Sequence, residues 1–203
     1  MADPCVPRSM IDGLRRDAVH SQDIARALES LREACGREQI PFAVIGALAM
    51  RVHGFVRHTE DIDVVTTREG LERIHERFVG RGFVPRGPGL RKKLRDTVHK
   101  VDVDVIAAGE HAGSPDSPVV FPEPDSAEFG LISDGVRYAT LPTLLTLKLA
   151  AGIWGRRHLD LADVIRLIQS NQLTESFASE LPEPVRAKFV ELVQSAREEI
   201  DIE

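Results

Sequence analysis

The stretch from Phe42 to Thr66, FAVIGALAMRVHGFVRHTEDIDVVT, restricts most tightly what this chain can fold into. An apolar run breaks at Gly46, a short amphipathic segment closes at Gly54, and Asp61-Ile62-Asp63 leads into Val64-Val65. Carboxylates two residues apart in a β-rich run share one face of a strand. The pattern predicts strand, glycine turn, short helix, strand. Backbone N–H groups at a glycine turn ahead of a helix suit phosphate oxygens. Paired acids suit a hard divalent cation such as Mg²⁺. The stretch thus reads as a phosphate site facing an acidic metal site.

The flanking chain supplies a framework for it. Residues 1–20, with Pro4, Pro7 and Gly13, read as an irregular lead-in. From Ser21 the spacing of Ile24, Leu28, Leu31 and Cys35 predicts a helix ending by Gly36 to Pro41. After the second strand, Thr66 and Glu69 have capping-box spacing and open a helix carrying Leu71, Ile74 and Phe78. Short strands are expected at 83–84, 90–95, 98–106 and 136–139, with a long loop over 109–126 rich in Pro, Ser, Gly and acid. From residue 141 the pattern is helical: a segment from Pro142, another over 157–169, and a last one opening near Pro184. The expectation is an α/β (α+β) protein: a catalytic core with a mixed β-sheet and helices over 21–140, and a C-terminal helical subdomain over 141–203.

Charge and composition limit the surroundings of the site. The net charge of −6 argues against wholesale coating by nucleic acid. Yet residues 86–100 carry Arg86, Arg91, Lys92, Lys93, Arg95 and Lys100 against Asp96 alone, a local basic face compatible with a polyanionic substrate or with a soluble strand edge. No apolar run is long enough to span a membrane, no secretory leader is evident, and Cys5 and Cys35 have no disulfide or zinc pattern. A cytoplasmic location is expected.

A third carboxylate from a neighbouring strand would complete a site for two metal ions, which activates an attacking oxygen and stabilises a leaving one. Asp102 and Asp104, in Val101-Asp102-Val103-Asp104-Val105-Ile106, have the parity for it. Asp104 lies deeper, where an unpaired carboxylate is costly to bury and a cation offsets the cost. Arg57 suits bidentate pairing with phosphate or neutralisation of the acids. Lys148 interrupts the apolar face of Leu144, Leu145 and Leu149; it can reach a triphosphate through that collar or extend to solvent. Asp160 and Asp163 are expected to pair with Arg156, Arg157 or Arg166. His53 and His58 have no further partners at zinc spacing.

These motifs, in this order, resemble the nucleotidyltransferase superfamily with the DNA polymerase β-like fold. Within it they are most similar to the AbiEii-type, toxin-like nucleotidyltransferases. The resemblance rests on Val44-Ile45-Gly46-Ala47, on the run Arg57-His58-Thr59-Glu60-Asp61-Ile62-Asp63, on Val103-Asp104-Val105, and on Lys148 in a helix after Leu141-Pro142. It implies two Mg²⁺ ions held by Asp61, Asp63 and Asp104, with Asp102 as the alternative third ligand. Gly109, five residues after Asp104, favours Asp104. It further implies Asp104 as general base, and Gly46, Ala47, Arg57, Thr59 and Lys148 as nucleotide-binding residues. Ala47 departs from the Ser or Gly of many relatives, removing a hydroxyl donor to phosphate while keeping the backbone donor.

The implied reaction transfers a nucleoside monophosphate from an NTP to an acceptor hydroxyl. The acceptor expected is RNA, such as tRNA, in a toxin–antitoxin or abortive-infection setting with a possible antitoxin partner. The alternatives are a small molecule such as an antibiotic, a protein, or a non-catalytic nucleotide- or partner-binding role. One Trp and one Tyr leave little aromatic surface for stacking bases.

Overall fold

A computed structural model describes the backbone of residues 8–200 and the side chains of residues 21–197. In chain order the elements are α1 (Arg8–Glu38), β1 (Phe42–Val44), α2 (Gly46–Val52), β2 (Asp61–Thr66), α3 (Arg68–Phe78), β3 (Phe83–Pro85), β4 (Lys93–Asp96), β5 (Asp102–Ala107), β6 (Leu131–Ser133), β7 (Val136–Tyr138), α4 (Leu141–Ile153), α5 (His158–Ser170) and α6 (Glu183–Ile200). The strands form one mixed sheet of order β3-β4-β5-β2-β1-β7-β6.

Alternation in DIDVVT and DVDVIA makes β2 and β5 the centre of this sheet. Ile62, Val64, Val103 and Val105 are all buried, while Asp61, Asp63, Asp102 and Asp104 remain partly open. Burying an aliphatic side chain of this size contributes about 1.5–3 kcal/mol, which fixes the register, because a one-residue slip would bury the acids instead. β2 and β5 run parallel, with Asp61 opposite Asp102 and Asp63 opposite Asp104. β1 runs antiparallel to β2, so its C-terminal end meets the start of β2. There the Ile45 N–H donates to the Asp63 carbonyl at 3.0 Å.

α2 has only seven residues, too short to persist alone, and it is held by the burial of Ala47, Leu48, Ala49 and Met50. α4 is buried from Thr143 to Gly152, the mark of a helix enclosed on all sides. Pro142 sits in its first turn, where no N–H is needed. One apolar core runs without a break from Ile24 and Leu31 in α1, through the sheet, to Phe189 and Val193 in α6. No helix among the described residues is long and apolar enough to cross a membrane.

Several local expectations need correction. α1 begins at Arg8, so residues 8–20 of the expected irregular lead-in are helical; residues 1–7 lie outside the described residues. The cap of α3 is Thr67, whose hydroxyl accepts from the Gly70 N–H at 2.8 Å. Thr66, fully buried, instead donates to the Pro41 carbonyl at 2.7 Å. β4 starts three residues later than expected, and β6 has no counterpart in the sequence reading. Inside the long loop a single bridge pairs His111 with Val120.

Candidate active site

Because β2 and β5 are parallel and in register, Asp61, Asp63, Asp102 and Asp104 form a two-by-two block of carboxylates on one face of the sheet. The block is not uniform. Asp102 is ion-paired to Arg86 and, at 2.7 Å, to Arg95. The other three converge: ligand atoms of Asp61, Asp63 and Asp104 lie within 4.8 Å of one another. The structure therefore brings Asp104 to the pair on β2 and ties Asp102 to arginines. Neither His53 nor His58 joins the cluster; His53 Nε2 lies 2.8 Å from the Ala139 carbonyl oxygen.

Two like charges at that separation repel by about 3–4 kcal/mol at an effective dielectric of about 20. The triad must therefore carry a proton or attract a cation. Asp63 shows the strain most plainly. Burial first, then the charges of Asp61 and Asp104, push its pKa up to about 6, against the smaller opposing pull of Lys148 and Arg157. Asp61 is oriented by the Thr59 hydroxyl, which donates to its Oδ1 at 2.7 Å.

Gly46 forms the floor. Its φ is +63°, in the left-handed region that only glycine enters at little cost. A Cβ built there would stand 2.0 Å from Asp63 Oδ2. The turn thus needs glycine twice, for its backbone and for the space that the carboxylate fills. Ala47, the next residue, is 3% exposed and does not reach the cleft wall.

The triad opens into a cleft of about 610 Å³. Facing the acids across it is a cationic wall. Lys148, 6% exposed, donates to Asp160 Oδ1 at 3.0 Å and to Asp163 Oδ2 at 2.6 Å. Arg57 Nη1 lies 3.3 Å from the same Asp163 oxygen, and Arg157 Nε lies 3.0 Å from Asp160 Oδ2. Three cations against two carboxylates leave one surplus positive charge opposite the triad. The Arg57 Nε is buried without a hydrogen-bond partner. Phe121, Leu144, Leu147 and Ala151 supply an apolar part of the lining.

Of the residues expected at the site, Asp61, Asp63, Asp104, Gly46, Arg57 and Lys148 all line this cleft. Thr59 acts on Asp61 from outside it, and Asp102 faces its arginines. The sequence reading missed that Asp160 and Asp163 hold Lys148. Their spacing at i, i+3 was visible, but only the packing of α5 on α4 shows the lysine between them. It also missed that the basic run is neutralised locally. Arg91 pairs with Glu72, Lys92 with Glu110 at 2.5 Å, and Lys93 with Asp104 at 2.6 Å.

No family model matches the chain, and no curated protein does. Solved structures do. The crystal structure of ANT(2″)-Ia in complex with adenylyl-2″-tobramycin superimposes with a TM-score of 0.50 at 15% identity, over 83% of this chain and 97% of that one. The solution structure of the antibiotic-resistance factor ANT(2″)-Ia gives 0.45 at 19% identity, over 92% and 95%. JHP933 from Helicobacter pylori gives 0.45 at 14% identity, over 89% and 94%. The first of these establishes the fold: an α/β nucleotidyltransferase-like fold with a mixed seven-stranded sheet and an acidic triad at its centre.

Proposed function

We propose that this protein is an Mg²⁺-dependent nucleotidyltransferase, which moves a nucleoside monophosphate from an NTP to an acceptor hydroxyl and releases pyrophosphate. The observation that carries the reading is the convergence of Asp61, Asp63 and Asp104 above Gly46, in a cleft whose opposite wall is cationic. The donor set consists of carboxylate oxygens alone, which suits a hard divalent ion and not zinc.

Two ions held by Asp61, Asp63 and Asp104 would supply charge neutralisation for the attacking and leaving oxygens. The chain's own residues do the rest. Gly46 offers its backbone N–H to the nucleotide phosphates, with no side chain to block their approach, while Ala47, outside the cleft lining, is left without that role. Arg57, with its unpartnered Nε, and Lys148 meet the triphosphate from the other wall, and Thr59 keeps Asp61 turned to the site. Asp104 accepts the acceptor's hydroxyl proton as its oxygen bonds to the α-phosphorus; the bond from that phosphorus to the bridging oxygen breaks, and pyrophosphate departs with the electron pair. Residues 21–140 provide the triad and Gly46, and residues 141–203 provide Lys148 and its aspartates, the division proposed for a core and a helical subdomain.

For the acceptor, the resemblance to toxin-like nucleotidyltransferases favours RNA, such as tRNA, and with it a toxin–antitoxin context in the cytoplasm; the basic run beside Asp104 is closed in ion pairs and adds little to this reading. The ANT(2″)-Ia complex favours a second reading, a small-molecule hydroxyl, since that structure contains an adenylylated antibiotic. The test is incubation with each α-labelled NTP, Mg²⁺ and either total RNA or a small-molecule extract, with Asp63→Ala as control. Label on RNA that disappears in the control supports the first acceptor, and label on small molecules the second. NTP binding without transfer to any acceptor overturns catalysis and leaves a nucleotide-binding protein.

A further inference from the structure

Asp104 is asked to hold a cation and to take a proton, yet in the structure one of its oxygens is already occupied. Lys93 Nζ lies 2.6 Å from Asp104 Oδ2. This contact is built into the sheet. β4 and β5 are antiparallel, and Lys93 stands directly opposite Asp104, as Arg95 stands opposite Asp102. The two cross-strand pairs nevertheless differ in what they close. Arg95 and Arg86 together saturate Asp102, which is not among the converging ligand atoms of the triad. Lys92 is taken up by Glu110. Among the described residues, Lys93 is the cation ion-paired to a member of the triad.

We propose that Lys93 competes with the divalent cation for Asp104, so that loading the triad is an exchange of the lysine ammonium for the ion. The inference rests on the triad being a metal site, as proposed above. The pair is suited to exchange. The Lys93 side chain is 55% exposed and that of Asp104 is 28% exposed, so the pair is screened by water and weak. The lysine stem is flexible, and its ammonium can leave without disturbing the backbone ladder that sets the strand register. A doubly charged ion facing three carboxylates outweighs one ammonium facing one of them. Without the ion, the lysine removes part of the repulsion within the triad, so the empty site stays folded and Asp104 stays aimed.

The exchange makes a signed prediction that needs neither nucleotide nor acceptor. Mn²⁺ binding to the full chain is measured by titration, following free Mn²⁺ by electron paramagnetic resonance. Lys93→Met removes the competitor and should tighten Mn²⁺ binding by about two- to fivefold, the scale of an exposed ion pair. Lys93→Arg keeps the competitor and should bind as the natural chain does. Lys92→Met removes the same charge from the cleft but not from Asp104, and its effect should be smaller. In an Asp104→Asn background, Lys93→Met should change nothing. Unaltered or weaker binding by Lys93→Met overturns the proposal, as does equal tightening by Lys92→Met, which would mean a general field effect. If the natural chain binds no Mn²⁺ at millimolar concentrations, the metal-site reading fails, and this inference with it. If it binds Mn²⁺ with no dependence on Lys93, the inference alone fails.

Discussion

Replacing Gly46 by alanine adds a single methyl group, and the structure states where it would go. The Cβ would stand 2.0 Å from Asp63 Oδ2, 2.9 Å from its Cγ and 3.1 Å from its Cβ, on a backbone at φ +63°. The left-handed backbone costs an alanine about 1–2 kcal/mol. Asp63 must then turn out of its rotamer, which costs about 0.5–1.5 kcal/mol more. The variant should therefore fold, but with a loss of about 2–3 kcal/mol in urea unfolding. Gly54→Ala is the control. Its φ is +86°, but nothing lies within 4 Å of the added carbon, so only the backbone cost applies. Because Asp63 is displaced in one variant and untouched in the other, Mn²⁺ affinity should fall about 10–100-fold in Gly46→Ala, the scale for losing control of a ligand's orientation, and stay unchanged in Gly54→Ala. Equal Mn²⁺ affinity in the two variants would refute the argument that Gly46 is a spacer for Asp63, whatever their stabilities.

Other consequences can be measured on the same protein. Asp63 has its pKa raised to about 6, so Mn²⁺ must displace a proton at acid pH, and affinity should rise about tenfold from pH 5 to pH 7. In EDTA the sign is the opposite for stability: a raised carboxyl pKa gives stability that is full below about pH 4 and lost as pH rises through about 6, so the natural chain should lose about 3 kcal/mol relative to Asp63→Asn across that window. Lys148→Met removes the buried ammonium shared by Asp160 and Asp163, leaving Arg57 and Arg157 to balance them, and should cost about 1–3 kcal/mol, recovered largely by adding Asp160→Asn and Asp163→Asn. Asp102→Asn should leave Mn²⁺ binding intact where Asp104→Asn weakens it about tenfold or more; equal effects would mean that the arginines do not withhold Asp102 from the site.

How much could be read in advance follows from the range of the interactions. β2 was legible to the residue, because the alternation of Asp61, Ile62, Asp63 and Val64 encodes both its period and its buried face. Gly46 was legible as a turn, but its second role, leaving room for Asp63, depends on a contact across two strands. Asp102 and Asp104 share parity, and the apolar pair after Asp104 was the local sign that favoured it; what separates them in the structure is that β4 lays Arg95 against one and Lys93 against the other. The basic run closes into ion pairs through this pairing at Lys93 and Arg95, and through Glu72 of α3 and Glu110 of the long loop at Arg91 and Lys92. The cap of α3 shifted from Thr66 to Thr67 because the sheet claims Thr66 as its last residue, where its hydroxyl is committed to Pro41. Lys148 was singled out by its apolar neighbours, yet its aspartates belong to another helix.

The order in which this site assembles follows from the positions of its parts along the chain. Residues 42–66 make a local unit, β1-α2-β2, in which Gly46 and Asp63 meet through short-range closure alone. Asp104 arrives only after the chain has passed through α3, β3 and β4 and returned beside β2, and Lys148 only after α4 has docked. Long-range parallel pairing of this kind is slow, because its loop entropy is lost before its contacts form. A divalent ion bound as proposed would therefore find its third ligand only late in folding. It would not nucleate the sheet; it would act on the finished topology, slowing its unfolding and marking, by its presence, a chain that has closed completely.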